Sequence, residues 1–315
     1  MAKLALYCRI ATPFKKNGEL DEAAFRVWLQ RFIKPGIGVY LGSGGGAEGH
    51  SLTWDELDRI YRIGVEECRG RIEVHANPPE QYTVALTRAY IQQAIAAKVD
   101  MVSIYGLASR HGMKPTDFEL MLYFKEVLAG VKHPICVGVN AHAMGYTPKA
   151  EVIAEVCNRH PQILAVNLSH GADGYMVKFQ ECLKRDVAIY VHCNGSLNKL
   201  TMGAKGVFGL EANILPKTQR AYMDAVENRN FPRMGRLYAD LQRYANFTAP
   251  WYPPSVRTIK MAIKLFKLPG WEGGLREPVR MPPPEEYKKF ADGLLRLGIP
   301  EIEQQARAAG LRVPK

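Results

Sequence analysis

The stretch AIYVHCNGSLNKLTMGAKGVFGLEANILP, residues 188–216, decides how the rest of the chain is read. A short apolar run at 188–192 gives way to a helical segment at 196–203 and then to a second apolar run at 206–210. Another helical segment, 216–228, follows. Two strands joined through a helix make a parallel unit. Outward from it the same alternation recurs almost from end to end. Strands are predicted at 5–8, 38–42, 71–75, 101–105, 134–139 and 164–168, with helices at 21–34, 53–68, 79–98, 115–130, 148–159 and 174–184 between them. Eight strand–helix pairs in sequence predict an α/β fold, a closed (β/α)8 TIM barrel over residues 1–228. After residue 230 the strand signal stops. Helical patterns at 231–246, 256–267 and 284–297 predict a C-terminal helical extension, 229–315, packed on the barrel.

Local chemistry supports these boundaries. Thr53-Trp54-Asp55-Glu56 has the spacing of a capping box, with the acid three residues after the hydroxyl. Pro79, Pro115 and Pro148 fall where a first helical turn tolerates proline. Composition is that of an ordinary globular chain, with 47% hydrophobic and 23% charged residues in 315. No apolar run approaches a membrane span, and the N-terminus turns charged too soon for a secretory signal, so a cytoplasmic protein is expected. Six scattered cysteines without a CxxC spacing read as reduced, buried thiols. The net charge of +11 comes from Lys and Arg spread along the chain without aromatic interleaving. That pattern fits a solvated basic surface and not a nucleic-acid partner.

In a barrel of this kind, functional groups come from the C-terminal ends of strands and the loops after them. Several motifs there resemble the dihydrodipicolinate synthase/N-acetylneuraminate lyase superfamily. Ala11-Thr12-Pro13-Phe14 with Asn17-Gly18-Glu19-Leu20-Asp21 is similar to its first-strand signature, and Gly42-Ser43-Gly44-Gly45-Gly46-Ala47-Glu48 to its Gly-(Ser/Thr)-Thr-Gly-Glu loop. Lys114-Pro115, Met202-Gly203-Ala204-Lys205-Gly206-Val207 and Ala212-Asn213-Ile214-Leu215-Pro216 continue the resemblance, as do Lys260 and Arg276-Glu277-Pro278. It implies a class I pyruvate aldolase or lyase, a homotetramer or homodimer, with an imine-forming lysine on strand six and a proton-shuttling tyrosine on strand five. In register, however, the lysine position holds Asn167, the tyrosine position Gly138 and the following arginine position Ala143. Of the two loop hydroxyls Ser43 survives and the second is Gly44. An amide cannot form a Schiff base.

Histidines gather where those groups are missing. His50, His75, His111, His142, His170 and His192 fall at or just after predicted strand ends, with Asn77, Asn194 and Cys193 close by; only His133 and His160 fall at the other face. One reading has His142 and His170 as acid–base groups, assisted by Asn140, Asn167 and Tyr105. Ser43, the amides of Gly44, Gly45 and Gly46, Glu48 and His192 would then hold a small carboxylate or 2-oxo acid, with no cofactor. A second has three of His50, His75, His142, His170 and His192 holding a divalent metal, with Glu48 or Cys193 as a further ligand, although no HxH or HExxH spacing supports it. A third makes the histidines hydrogen-bonded rim residues of a catalytically silent ligand-binding barrel. Cys193 follows His192 on one strand, so the two are expected on opposite faces.

Overall fold

The computed structural model describes residues 3–109, 111–169, 172–251 and 255–314. Eight parallel strands close into a barrel in chain order. They are β1 (Ala5–Arg9), β2 (Gly38–Leu41), β3 (Val74–Ala76), β4 (Met101–Tyr105), β5 (Ile135–Val139), β6 (Ile163–Leu168), β7 (Ala188–His192) and β8 (Gly206–Gly209). Around them run α1 (Glu22–Ile33), α2 (Trp54–Cys68), α3 (Val84–Ala96), α4 (Asp117–Val127), α5 (Ala141–Met144), α6 (Ala150–Arg159), α7 (Asp173–Cys182), α8 (Ser196–Thr201) and α9 (Pro216–Glu227). Four further helices complete the chain: α10 (Phe231–Thr248), α11 (Ser255–Leu265), α12 (Pro284–Leu295) and α13 (Pro300–Ala308). Among the described residues no helix is long and apolar enough to cross a membrane.

Alternation sorts each strand. Outward residues such as Val39, Val102, Val137, Val166 and Val191 join the large core under the helices, while Tyr7, Tyr40, Met101, Cys136, Ala165, Tyr190 and Phe208 fill the barrel interior. The barrel is therefore a packed core open only at its rim.

Helix starts follow their caps. Thr53 and Glu56 form the capping box expected for α2. A second box, Thr116 with Glu119, starts α4 two residues after Pro115. The segment predicted from 79 becomes helical only at Val84, because Thr83 caps it by accepting from the Leu86 amide. The short helix α5 was not expected. It exists because Asn140 accepts from the His142 amide at 2.9 Å as the chain leaves β5.

The C-terminal helices are tied to the barrel by buried charge. The Arg276 guanidinium makes a forked pair with Glu56, at 2.7 and 2.8 Å, and also donates to the carbonyls of Gly18 and Ser51. Lys260 on α11 donates to the Thr12 carbonyl at 2.5 Å and the Gly274 carbonyl at 2.9 Å, and lies 3.1 Å from a Glu48 carboxylate oxygen. Glu301 on α13 accepts from the amides of Lys217 and Thr218, supplying the cap that Leu215 cannot give to α9.

Candidate active site

Four neighbouring strands set the site's register: Tyr105 pairs with Gly138, Gly138 with Asn167, and Asn167 with Tyr190. All share the inward face. A side chain at Gly138 would meet the Tyr105 ring, since an added Cβ would stand 2.5 Å from Cε1. The space over Gly138 on strand five is thus filled by the ring of Tyr105 from strand four. The Tyr105 hydroxyl donates to Asn77 Oδ1 at 3.2 Å, and Asn77 donates in turn to the Ser103 carbonyl. Burial raises the Tyr105 phenol to about 12, against an opposing pull from the Arg9 charge. At neutral pH it is a proton donor.

Asn167 is buried, and its Oδ1 accepts from the Ser169 hydroxyl at 3.3 Å. Asn140 is also buried, its oxygen spent on the α5 cap. The amide nitrogens of both donate to no described residue, so each can donate to a ligand.

The loop after β2 wraps tightly, with the amides of Ala47 and Gly49 both donating to the Ser43 carbonyl at 3.0 Å. The Ser43 hydroxyl and the amides of Gly44 and Gly46 bond to no described residue. A side chain at Gly44 would collide with the His50 imidazole. The space over Gly44 is therefore filled by a histidine six residues on. His50 is otherwise exposed, 3.5 Å from Glu80. The Glu48 carboxylate turns away toward Lys260, and its other oxygen accepts from the Arg276 amide at 3.2 Å. It works in the clamp to the C-terminal helices.

The histidines divide. His192 ends β7 and meets the Phe208 ring edge-on at 5.8 Å. His142 lies exposed on α5 at the rim, and His111 lies exposed in the loop beyond β4. His170 lies outside the described residues. His75, expected at a strand end, sits instead in mid-strand with no exposure. Its Nε2 is 2.9 Å from Glu73, which also accepts from the Tyr7 hydroxyl, and its ring packs on Tyr7 and Tyr40 at the barrel floor. The reason is a shift of β3 to Val74–Ala76, which carries position 75 below the mouth. Among the described residues no three His, Cys, Asp or Glu side chains converge as a metal would require. Cys193 is buried on the outer side of the wall, and burial pushes its thiol up.

Lys260 is the one buried lysine among the described residues. Burial lowers its ammonium below the ordinary range, opposed by Glu48. Its bonds to two carbonyls and Glu48 hold it on the C-terminal helices, outside the interior ring of strand residues.

Sequence reading missed two residues of this mouth. Arg9 ends β1 on the inward face of Ala5 and Tyr7, and the alternation across 5, 7 and 9 was a signal for it. Asn77 was noted near the rim without the role it holds, orienting Tyr105.

Eight parallel strands closed into a barrel, with a phenol, two amides, a hydroxyl and a glycine loop at or just after the C-terminal ends of its strands, make a (β/α)8 barrel, the fold whose functional groups sit at that rim. The chain belongs to the dihydrodipicolinate synthetase family, whose model matches residues 4–295. It is 23% identical over 278 residues to the 4-hydroxy-tetrahydrodipicolinate synthase of Protochlamydia amoebophila (strain UWE25), covering 87% of this chain and 90% of that protein. It is 26% identical over 270 residues to an uncharacterized DapA-like lyase of Rhizobium meliloti, covering 84% and 86%. Among solved structures, dihydrodipicolinate synthase DapA-2 from Bacillus anthracis superposes with a TM-score of 0.84 at 20% identity, over 95% of this chain and 99% of that one. YagE, a prophage protein of the dihydrodipicolinic acid synthase family from E. coli K12 solved with pyruvate, gives 0.84 at 17% identity over 94% and 99%. The protein is a member of the lyase/aldolase superfamily.

Proposed function

We propose that this barrel acts on a small 2-oxo acid as a lyase that forms no lysine imine. The observation that carries the reading is the exchange at strands four and five: the Tyr105 ring fills the space over Gly138, beside Asn167 in register. A proton donor is kept at the reacting centre while the strand-six position offers an amide. Ser43 and the amides of Gly44, Gly45 and Gly46 hold the carboxylate, with His192 at the far side of the mouth. Asn140 and Asn167 donate to the 2-oxo oxygen as it gains negative charge, which is where fixed donors lower a barrier most. Tyr105 delivers and recovers the proton, His142 at the rim serves as the acid–base group that communicates with solvent, and His170 is the second histidine proposed for that exchange. The site takes a small carboxylate without a cofactor.

Two measurements test this. Borohydride treatment in the presence of pyruvate is expected to leave the intact mass unchanged; an adduct mapped to any lysine, Lys260 included, overturns the imine-free mechanism. Exchange of the pyruvate methyl protons in D2O reports enolisation directly. Tyr105→Phe keeps the ring over Gly138 and removes the hydroxyl, so it is expected to slow enzyme-dependent exchange by about a hundredfold. Wild-type exchange rates in that variant would remove Tyr105 from the mechanism.

A further inference from the structure

Arg9 is 8% exposed, yet its guanidinium forms no ion pair and no hydrogen bond among the described residues, and its Nε is buried without an acceptor. Its guanidinium carbon lies 4.9 Å from the centroid of the Phe208 ring, the ring that His192 meets edge-on from β7. The nearby acids are committed elsewhere. Glu48 pairs with Lys260 at 3.1 Å. Glu211 feels the Arg9 charge, but it accepts from the Leu210 amide at 3.0 Å and packs beside Gly209 and Cys193. A cation withdrawn from water normally recruits a counter-charge, and an aromatic face offsets only part of that loss. The fold leaves this guanidinium's acceptor to be supplied from outside.

The glycine loop shows where. A Cβ on Gly46 would stand 3.3 Å from Arg9 Cβ, so the stem of Arg9 passes against the loop while its head reaches away over Phe208, toward β7 and β8. Two groups suited to an anion therefore stand at the mouth: the Ser43 hydroxyl with the loop amides on the β2 side, and the Arg9 fork over the Phe208 ring that His192 also meets. A guanidinium matches two carboxylate oxygens at once. We propose that Arg9 binds a second carboxylate, and that the ligands of this barrel are 2-oxo dicarboxylates, not pyruvate-sized monocarboxylates. The inference rests on the reading of the mouth as a 2-oxo acid site.

Binding of 2-oxoglutarate, oxaloacetate and pyruvate, measured by calorimetry and thermal shift, tests it in the wild type, Arg9→Met and Arg9→Lys. The wild type is expected to bind at least one dicarboxylate about a hundredfold more tightly than pyruvate. Arg9→Met should reduce that ligand to the pyruvate level and leave pyruvate binding within about threefold. It should not lower the unliganded melting temperature, because methionine keeps the apolar stem and removes an uncompensated charge. Arg9→Lys should restore part of the preference, and if the methionine variant fails to fold, a loss of about tenfold in the lysine variant decides the matter. Equal wild-type affinities, a preference that survives both substitutions, or equal weakening of pyruvate and dicarboxylate overturns the inference while sparing the 2-oxo acid reading. Failure of the wild type to bind any of the three ligands overturns both.

Discussion

A methyl group at position 138 would stand 2.5 and 2.7 Å from two ring carbons of Tyr105, inside a barrel with no slack to absorb it. Gly138→Ala is therefore expected to cost about 1–3 kcal/mol in urea unfolding, and to slow pyruvate proton exchange by pushing the phenol off Asn77. An alanine variant with wild-type stability and exchange would show that the ring is not held there. The same phenol gives a pH signature. Burial raises it to about 12, so its proton is retained where an exposed tyrosine would begin to lose it. The ratio of wild-type to Tyr105→Phe exchange rates should stay level from neutrality to about pH 10. A ratio that collapses near pH 9 would mark a solvated phenol. Neither residue could be assigned from its own neighbourhood, because positions 105 and 138 meet only through the β4–β5 register.

At the scale of elements, starts and stops were legible wherever a cap lies within a few residues. The box at Thr53 and Glu56 was read correctly from spacing alone. The spacing could not show that the same Glu56 carboxylate also receives the Arg276 fork. That fork is the largest influence holding Glu56 below the usual carboxylate range. A carboxyl depressed in the folded state contributes stability that is present above its unfolded value and lost as pH falls through the folded one. Glu56→Gln is expected to lose about 3 kcal/mol at pH 7, and the gap to wild type should narrow as pH falls below about 4.3. Denaturant unfolding at neutral and acid pH measures it, and a pH-independent gap would mean that the helix cap alone matters. Element reading failed at β3 and α5. Three residues suffice for a strand when both edges are paired, so His75 left the rim for the floor. One asparagine cap made a helix where a loop was expected.

For the whole molecule, the decisive contact is the one that locks the C-terminal helices to the barrel loops. Lys260 and Glu48 are nearly sealed from water, so breaking the pair from one side leaves a buried charge. Lys260→Met should cost about 3–5 kcal/mol, and adding Glu48→Leu should recover much of it, since the pair is worth less than either orphan costs. Equal losses in the single and double variants would show that the bonds of Lys260 to the Thr12 and Gly274 carbonyls, not its charge, hold the helices. By itself the sequence determined the eightfold alternation, the barrel, its kinship and the amide at position 167, because period and motif are written in contiguous residues. Only the tertiary structure decided that Tyr105 fills the gap at Gly138, that His50 covers Gly44, that Glu48 serves the clamp, and that Arg9 forms no ion pair among the described residues. Those facts belong to pairs such as 9 and 208 or 48 and 260, which closure of the barrel and docking of the last helices bring within reach of one another.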